Sequence, residues 1–260
     1  MGPGAPQIHV ASSHDSWAAD VCSYVVRGLR QGVDDRGHAS LVLAGGETPL
    51  PVYRRLAGLP EGTVPWSRVD LVLGDERMVG ADQGVDNRGA ICRSLIHLFE
   101  RSPASFTVPE LVSGDETVVL REAQPYARGV QDLLLRDGMF DVTLLGVGSD
   151  GHTASLFPGD RITPLPSDGT LDSLVAVGHA PRGAPGPLRV TLTPTALARS
   201  RFVAFLAVGS SKADAVRRCL EPSVSETVPP AGALFRDDFT DRSIVWFLDE
   251  ASAAQLSSSV

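Results

Sequence analysis

The chain is short of cysteine and of positive charge, and each shortage excludes a class of protein. Among 260 residues there are three cysteines, Cys22, Cys92 and Cys219. They are far apart, odd in number and form no CxxC, which argues against a disulfide framework or a zinc ribbon and fits a reducing compartment. Acidic residues outnumber basic ones by 31 to 23, for a net charge of −8. Nucleic acid and anionic membrane are therefore poor main partners, and any anionic substrate needs a local cluster of Arg and Lys. The six histidines show neither HExxH nor clustered spacing, so no metal site is expected. No apolar stretch approaches the ~20 residues of a membrane helix. The opening MGPGAPQIHV has neither a basic region nor an apolar run, so no signal peptide is expected and the reading is cytoplasmic.

What is present is an ordinary globular composition, 43% hydrophobic and 21% charged. Short apolar runs punctuate the chain at Ser40–Ala44, Val69–Leu73, Phe140–Leu145, Leu174–Val177, Phe202–Val208 and Ile244–Leu248. Their hydrophobicity is continuous rather than alternating, as in strands buried on both faces of a parallel sheet. Between them, Trp17, Val21, Val25 and Leu29 recur every fourth residue behind an Asp15/Ser16 cap signal. Leu50–Ala57, Arg88–Leu98, Lys212–Leu220 and Glu250–Leu256 also read as helices. Pro125 should break Glu116–Arg136 or open a second helix there. Alternating β and α elements predict an open, doubly wound, mostly parallel α/β sheet of Rossmann-like form, with helices on both faces. There is no repeat, and Pro181–Pro187 (PRGAPGP) is too short for a linker. It reads as a loop over the site, and residues 1–260 as a single domain.

Ligands of such sheets bind beyond the carboxyl ends of the strands, so the loops there carry the functional reading. Gly45-Gly46-Glu47-Thr48-Pro49 allows close backbone approach and then opens a helix, an arrangement suited to phosphate. Gly74-Asp75-Glu76-Arg77 offers a carboxylate for proton work and a guanidinium for an anion, or else a solvated turn. Asp86-Asn87 fits a helix cap, and Asn87 also suits a sugar hydroxyl. Gly146–Gly159 (GVGSDGHTASLFPG) is the richest loop. It holds His152, with Asp150 two residues away, and imidazole is a competent base near neutral pH. Arg189 in RVTLT and Lys212 in GSSK are cations placed to take an anion, although each alone also reads as a surface charge.

Together, LAGGETP, GDERMV, DN, LLGVGSDGHTASLFPG, RVTLT and GSSKADAV resemble the 6-phosphogluconolactonase family, within the wider group that includes glucosamine-6-phosphate isomerase/deaminase. The stretches run in the family's order from Leu43 to Val216. DGHTASLFPG is highly specific, whereas GG and GxxK are not. The deaminase branch has an Asn-Glu where this chain has Ser155-Leu156-Phe157, which selects the lactonase branch. The resemblance implies His152 as the base that activates water, and Asp75 and Asp150 as groups that orient substrate or assist proton transfer. It implies that Arg189 and Lys212 hold a 6-phosphate, helped by Gly45, Gly46, Thr48 and Arg77, with Asn87 and Gly151 completing the substrate site. The substrate would be a phosphorylated sugar lactone, with no cofactor and no metal, on a monomer or homodimer. Glu47, Asp86, Gly80 and Pro229-Pro230 depart from the family pattern, and Glu47 is expected to point away from the phosphate.

Three other enzymes and one binding protein compete. Gly146–Gly151 fits G-x-G-x-x-G, but Pro158 leaves too little helix for a dinucleotide site. Val147-Gly-Ser-Asp-Gly misses the nucleophile elbow at its first position. A metal enzyme lacks a ligand set. A non-catalytic sugar-phosphate binder on the same scaffold would not need His152, Asp75 and Asp150 together.

Overall fold

A computed structural model describes residues 6–80, 84–99, 103–166, 169, 171–234 and 242–257. Part of the opening segment read for a signal, residues 1–5, lies outside them. The strands are β1 (Gln7–Ala11), β2 (Ala39–Leu43), β3 (Val69–Leu73), β4 (Asp75–Arg77), β5 (Ser105–Thr107), β6 (Phe140–Gly146), β7 (Thr163–Pro164), β8 (Val175–His179), β9 (Leu188–Leu192), β10 (Ser200–Ala207) and β11 (Ser243–Asp249). The helices are α1 (His14–Arg36), α2 (Leu50–Ala57), α3 (Asn87–Ser94), α4 (Ile96–Phe99), α5 (Glu116–Glu122), α6 (Gln124–Asp137), α7 (Pro194–Leu197), α8 (Ala213–Leu220), α9 (Pro230–Ala233) and α10 (Glu250–Ala253).

Seven strands form a sheet in the order β1-β11-β10-β6-β2-β3-β5, and every pairing in it is parallel. Its continuous apolar runs divide between two cores by the two-residue period of a strand. Leu41, Leu43, Phe202, Ala204 and Leu206 face one core, with Trp17, Val25 and Leu29 of α1 and Tyr53 of α2. Val42, Val203, Phe205 and Ala207 face the other, with Tyr126, Val130 and Leu134 of α6 and Val216 of α8. Helices on both faces of a parallel sheet are thus what these sequences encode.

The chain leaves β2 toward β3 and β5, and leaves β6 toward β10 and β11, yet β2 and β6 are neighbours. That reversal of direction opens a crevice at their carboxyl ends. Gly74 carries the chain from β3 out of the main sheet, donating its N–H to the Leu43 carbonyl (2.9 Å) and accepting from Leu192 N (2.9 Å). Beyond it lies a second, antiparallel sheet, β4-β9-β8-β7, across the crevice.

Several local expectations change. Leu174–Val177 was expected in the parallel sheet, yet Val175–His179 is β8 of the antiparallel one. Its residues are buried on both faces there too, so continuous hydrophobicity cannot tell the two sheets apart. The cap of α1 is Ser13, not Asp15/Ser16: the Ser13 hydroxyl accepts from Ser16 N (3.1 Å) and Ser16 Oγ accepts from Ser13 N (3.2 Å), a capping box. Arg88–Leu98 is two helices, broken at buried Leu95. The last helix ends at Ala253 rather than Leu256. Pro125 does sit in the first turn of a second helix, α6. Largely exposed β1 (QIHVA), an edge strand in which His9 interrupts the apolar residues, had no continuous apolar run to mark it.

Helix α1 lies close on β6 and β10. A Cβ on Gly28 would stand 2.5 Å from Val142 Cγ2 and 3.0 Å from the Phe202 ring. Helix propensity alone would make Gly28→Ala stabilising by about 1 kcal/mol. The close approach reverses the sign, and overpacking should destabilise the variant by about 1–3 kcal/mol in urea unfolding. A more stable Gly28→Ala would contradict this packing.

Candidate active site

A cavity of about 490 Å³ occupies the crevice. The loops after β2, β6 and β10 form its floor and sides, and the antiparallel sheet supplies Asp75, Arg77 and Arg189. The Pro181–Pro187 loop borders it through Pro181 and Ala184, as expected for a loop over the site.

His152 is presented by a tight turn after β6. Gly148 N donates to the His152 carbonyl (2.8 Å) and Gly151 N to the Gly148 carbonyl (3.0 Å). No side chain fits at position 148, because a Cβ would meet His152 Nδ1 at 2.1 Å. Asp150 Oδ1 is 2.6 Å from His152 Nδ1 and accepts from His152 N at 3.0 Å. The Phe157 ring lies 4.7 Å from the imidazole, centroid to centroid. Burial works to raise the Asp150 pKa, but the bonds and charge of His152 outweigh it and hold the carboxyl below its usual range. Asp150 is therefore the carboxylate bonded to the imidazole, a point the sequence left open between Asp75 and Asp150.

Asp75 belongs to a different network. Its Oδ2 accepts from the buried Ser155 hydroxyl at 2.7 Å. Burial raises its pKa, opposed by Ser155, Arg189, His152 and Arg77. Ser155 N in turn donates to Thr191 Oγ1 (3.2 Å), the residue opposite Asp75 in the β4–β9 pair. Just before Ser155, Ala154 has φ +48°, the one positive φ outside glycine among the described residues.

The cations stand in two groups. Arg77 and Arg189 are opposite one another across β4 and β9. The Arg77 guanidinium donates to the Val85 carbonyl and that of Arg189 to the Pro185 carbonyl (2.7 Å). Arg189 is 7% exposed, and its Nε is buried without a hydrogen-bond partner among the described residues. A buried donor left unmade is costly. Lys212 lies across the cavity in the turn before α8, where burial lowers its pKa against the opposing charge of Asp150.

The remaining expected residues shape the walls. Thr48 and Gly46, which has φ +81°, border the cavity. Gly45 packs on Asn87, since a Cβ would lie 2.2 Å from Asn87 Cγ. Asn87 is buried and donates from Nδ2 to the Asp75 carbonyl (2.9 Å). Asp86 caps α3 by accepting from Gly89 N. Gly151, expected among the substrate-binding residues, does not border the cavity. Its φ is +87°, and a Cβ would meet Pro229 at 2.3 Å, so it serves the turn that carries His152. Glu47, expected to point away, is exposed but borders the cavity.

Two supporting residues went unread in the sequence. Ser155 lay inside the quoted DGHTASLFPG run but was not assigned a partner. Glu76 is fully buried and accepts three main-chain donors: Arg77 N (2.6 Å), Asn87 N (2.8 Å) and Arg88 N (2.7 Å). Strand alternation was the signal available, because a residue between two cavity-facing neighbours must face the interior. Among the described residues, no group of three or more His, Cys, Asp and Glu is placed to hold a metal ion.

The arrangement is a carboxylate-bound imidazole facing a cavity edged with cations, a set of groups suited to hydrolysis. Residues 12–246 match the model of the family described as glucosamine-6-phosphate isomerases/6-phosphogluconolactonase, and the chain belongs to that family. It is 33% identical to 6-phosphogluconolactonase of Caulobacter vibrioides over 86% of this chain and 90% of that protein. It is equally identical to that of Mycobacterium tuberculosis over 96% and 98%. The solved structure of 6-phosphogluconolactonase from Trypanosoma brucei superposes with a TM-score of 0.78 at 27% identity, covering 98% of this chain and all of that one.

Burial pushes the Glu76 pKa up to about 7 from 4.5, against its three amide donors and with the charge of Asp75 adding to the rise. A raised folded-state pKa contributes stability that is full below pH 4.5 and lost as pH rises through about 7. Glu76→Gln has no charge to bury. Its stability relative to wild type should therefore improve by on the order of 2–3 kcal/mol between pH 4.5 and 8. Urea unfolding across that range reads the difference, and a pH-independent difference would contradict it.

Proposed function

We propose that the chain hydrolyses 6-phospho-D-glucono-1,5-lactone to 6-phospho-D-gluconate, a step of the oxidative pentose phosphate pathway. The observation that carries this reading is the 2.6 Å contact between Asp150 and His152 Nδ1. A carboxylate there selects the Nδ1–H tautomer and leaves Nε2 as the acceptor. His152 Nε2 takes a proton from water as the water oxygen attacks the lactone carbonyl. The tetrahedral intermediate collapses with cleavage of the ring C–O bond, and the imidazolium returns its proton to the departing ring oxygen. The products are a carboxylic acid, which ionises, and an alcohol. No redox partner is needed.

The 6-phosphate is assigned to Arg189 and Lys212, with Gly45, Gly46, Thr48 and Arg77 alongside. The unpartnered Nε of Arg189 supports this assignment. Asp75, braced by Ser155, orients the substrate beside the base. Phosphate binding energy then positions the lactone carbonyl over Nε2. Lactonases among the relatives, and the Ser155 and Phe157 contacts where the deaminase branch differs, favour this branch. Both sheets contribute to one site, which supports one domain over residues 1–260. That site lies within one chain, so a monomer or a homodimer would serve. No described helix is long and apolar enough to cross a membrane, and a cytoplasmic location fits a small phosphorylated substrate.

The test is continuous proton release from fresh 6-phospho-D-glucono-1,5-lactone, with spontaneous opening subtracted at each pH. Wild type should prefer the phosphorylated lactone strongly over the unphosphorylated one, and turnover should show an acid limb, since the mechanism needs a nitrogen free to accept a proton. His152→Ala should lose about 100- to 10,000-fold in kcat while still binding 6-phosphogluconate. Equal efficiency on both lactones would sink the phosphate assignment, and a fully active His152→Ala would place the base elsewhere.

A further inference from the structure

We propose that Glu76 is a positioning residue that sets the substrate-binding wall of the cavity, acting through main-chain amides and touching no substrate itself. Asp75 and Arg77, its neighbours on β4, both border the cavity, whereas Glu76 is fully buried and does not. Its carboxylate reaches from the antiparallel sheet to the first turn of α3. One oxygen accepts from Arg77 N and Asn87 N, the other from Arg88 N. The first helical amides have no intrahelical acceptor, so Glu76 supplies one for two of them. Asp86 supplies one for Gly89 N.

Three contacts pass this restraint on to the cavity. Asn87, held at its N–H, donates its side-chain amide to the Asp75 carbonyl at 2.9 Å. Gly45 of the phosphate-type loop leaves no room for a Cβ against Asn87. The Arg77 guanidinium donates to the Val85 carbonyl, two residues before Asn87. Releasing the start of α3 would therefore loosen Arg77, Asn87 and Gly45 together. The His152–Asp150 pair hangs on the turn after β6 and makes no hydrogen bond to Glu76. The consequence is a division of effects: Glu76 governs substrate binding, and the base keeps its own support.

This inference rests on the lactonase reading, which turnover by wild type tests separately. The comparison is Glu76→Gln and Glu76→Ala against wild type, with folded protein confirmed by near-ultraviolet circular dichroism. Kinetics are run on the phosphorylated lactone, and 6-phosphogluconate binding is read by calorimetry. Gln keeps an oxygen for Arg77 N and Asn87 N but turns an NH2 toward Arg88 N. Its KM should rise about threefold, and that of Ala about tenfold or more, with a parallel loss of product affinity. In both, kcat should stay within about threefold of wild type and its acid limb should not move. A purely structural role would lower Tm and leave the KM of the folded protein unchanged. Wild-type KM and product affinity in folded Glu76→Gln would overturn the proposal even if Glu76→Ala does not fold, and so would a loss confined to kcat.

Discussion

The chemistry proposed for the cavity depends on the hydrogen bond between Asp150 and His152 Nδ1. Without it the imidazole could present either nitrogen to the cavity. With it, one nitrogen is committed to an ionised carboxylate and the other is left to accept a proton. Asp150 is held below its usual pKa by the residue it orients, so acceptor and donor reinforce one another. The turn that carries both groups closes on its own main chain.

The fold supplies what that pair lacks. The reversal between β2 and β6 brings the Gly45–Thr48 loop beside the His152 turn, and the antiparallel sheet brings Asp75, Arg77 and Arg189 over them. An acidic protein with net charge −8 thereby gathers three cations around one crevice. Buried Tyr53 and Tyr126 donate to the carbonyls of Ala44 and Leu73, satisfying the main chain where β2 and β3 end. Glu76 does the same for the opening amides of α3. The main chain around the cavity thus has its polar partners fixed before substrate arrives, a condition for electrostatic preorganisation, while Arg189 Nε has none among the described residues.

Most of this was legible in the sequence because it depends on local pattern. The main-sheet runs, from Ser40–Ala44 to Ile244–Leu248, identified all its strands except edge strands β1 and β5, and the segments directly after them held Asp75, His152 and Lys212, whereas Arg189 lies on β9 of the antiparallel sheet. What escaped depends on tertiary pairing. Val175–His179 is as apolar as a parallel strand, and only its partners β7 and β9 show otherwise. Gly151, expected among the substrate contacts, lies outside the cavity lining, and Pro229 leaves no room there for a side chain. Ser155 and Glu76 bond to groups 80 and 11 or 12 residues away in sequence, separations that no periodicity encodes. The choice between Asp75 and Asp150 as the partner of His152 needed distances.

The central claim is that Asp150 fixes His152 with Nδ1 protonated and Nε2 free. Long-range 1H–15N spectra of 15N-histidine-labelled protein at alkaline pH, with His152 assigned by loss of its signals in His152→Ala, read the tautomer directly. The account predicts a protonated, pyrrole-like Nδ1 and a pyridine-like Nε2, with that preference lost in Asp150→Asn. A His152 found with its proton on Nε2, or a tautomer indifferent to Asp150→Asn, would contradict it.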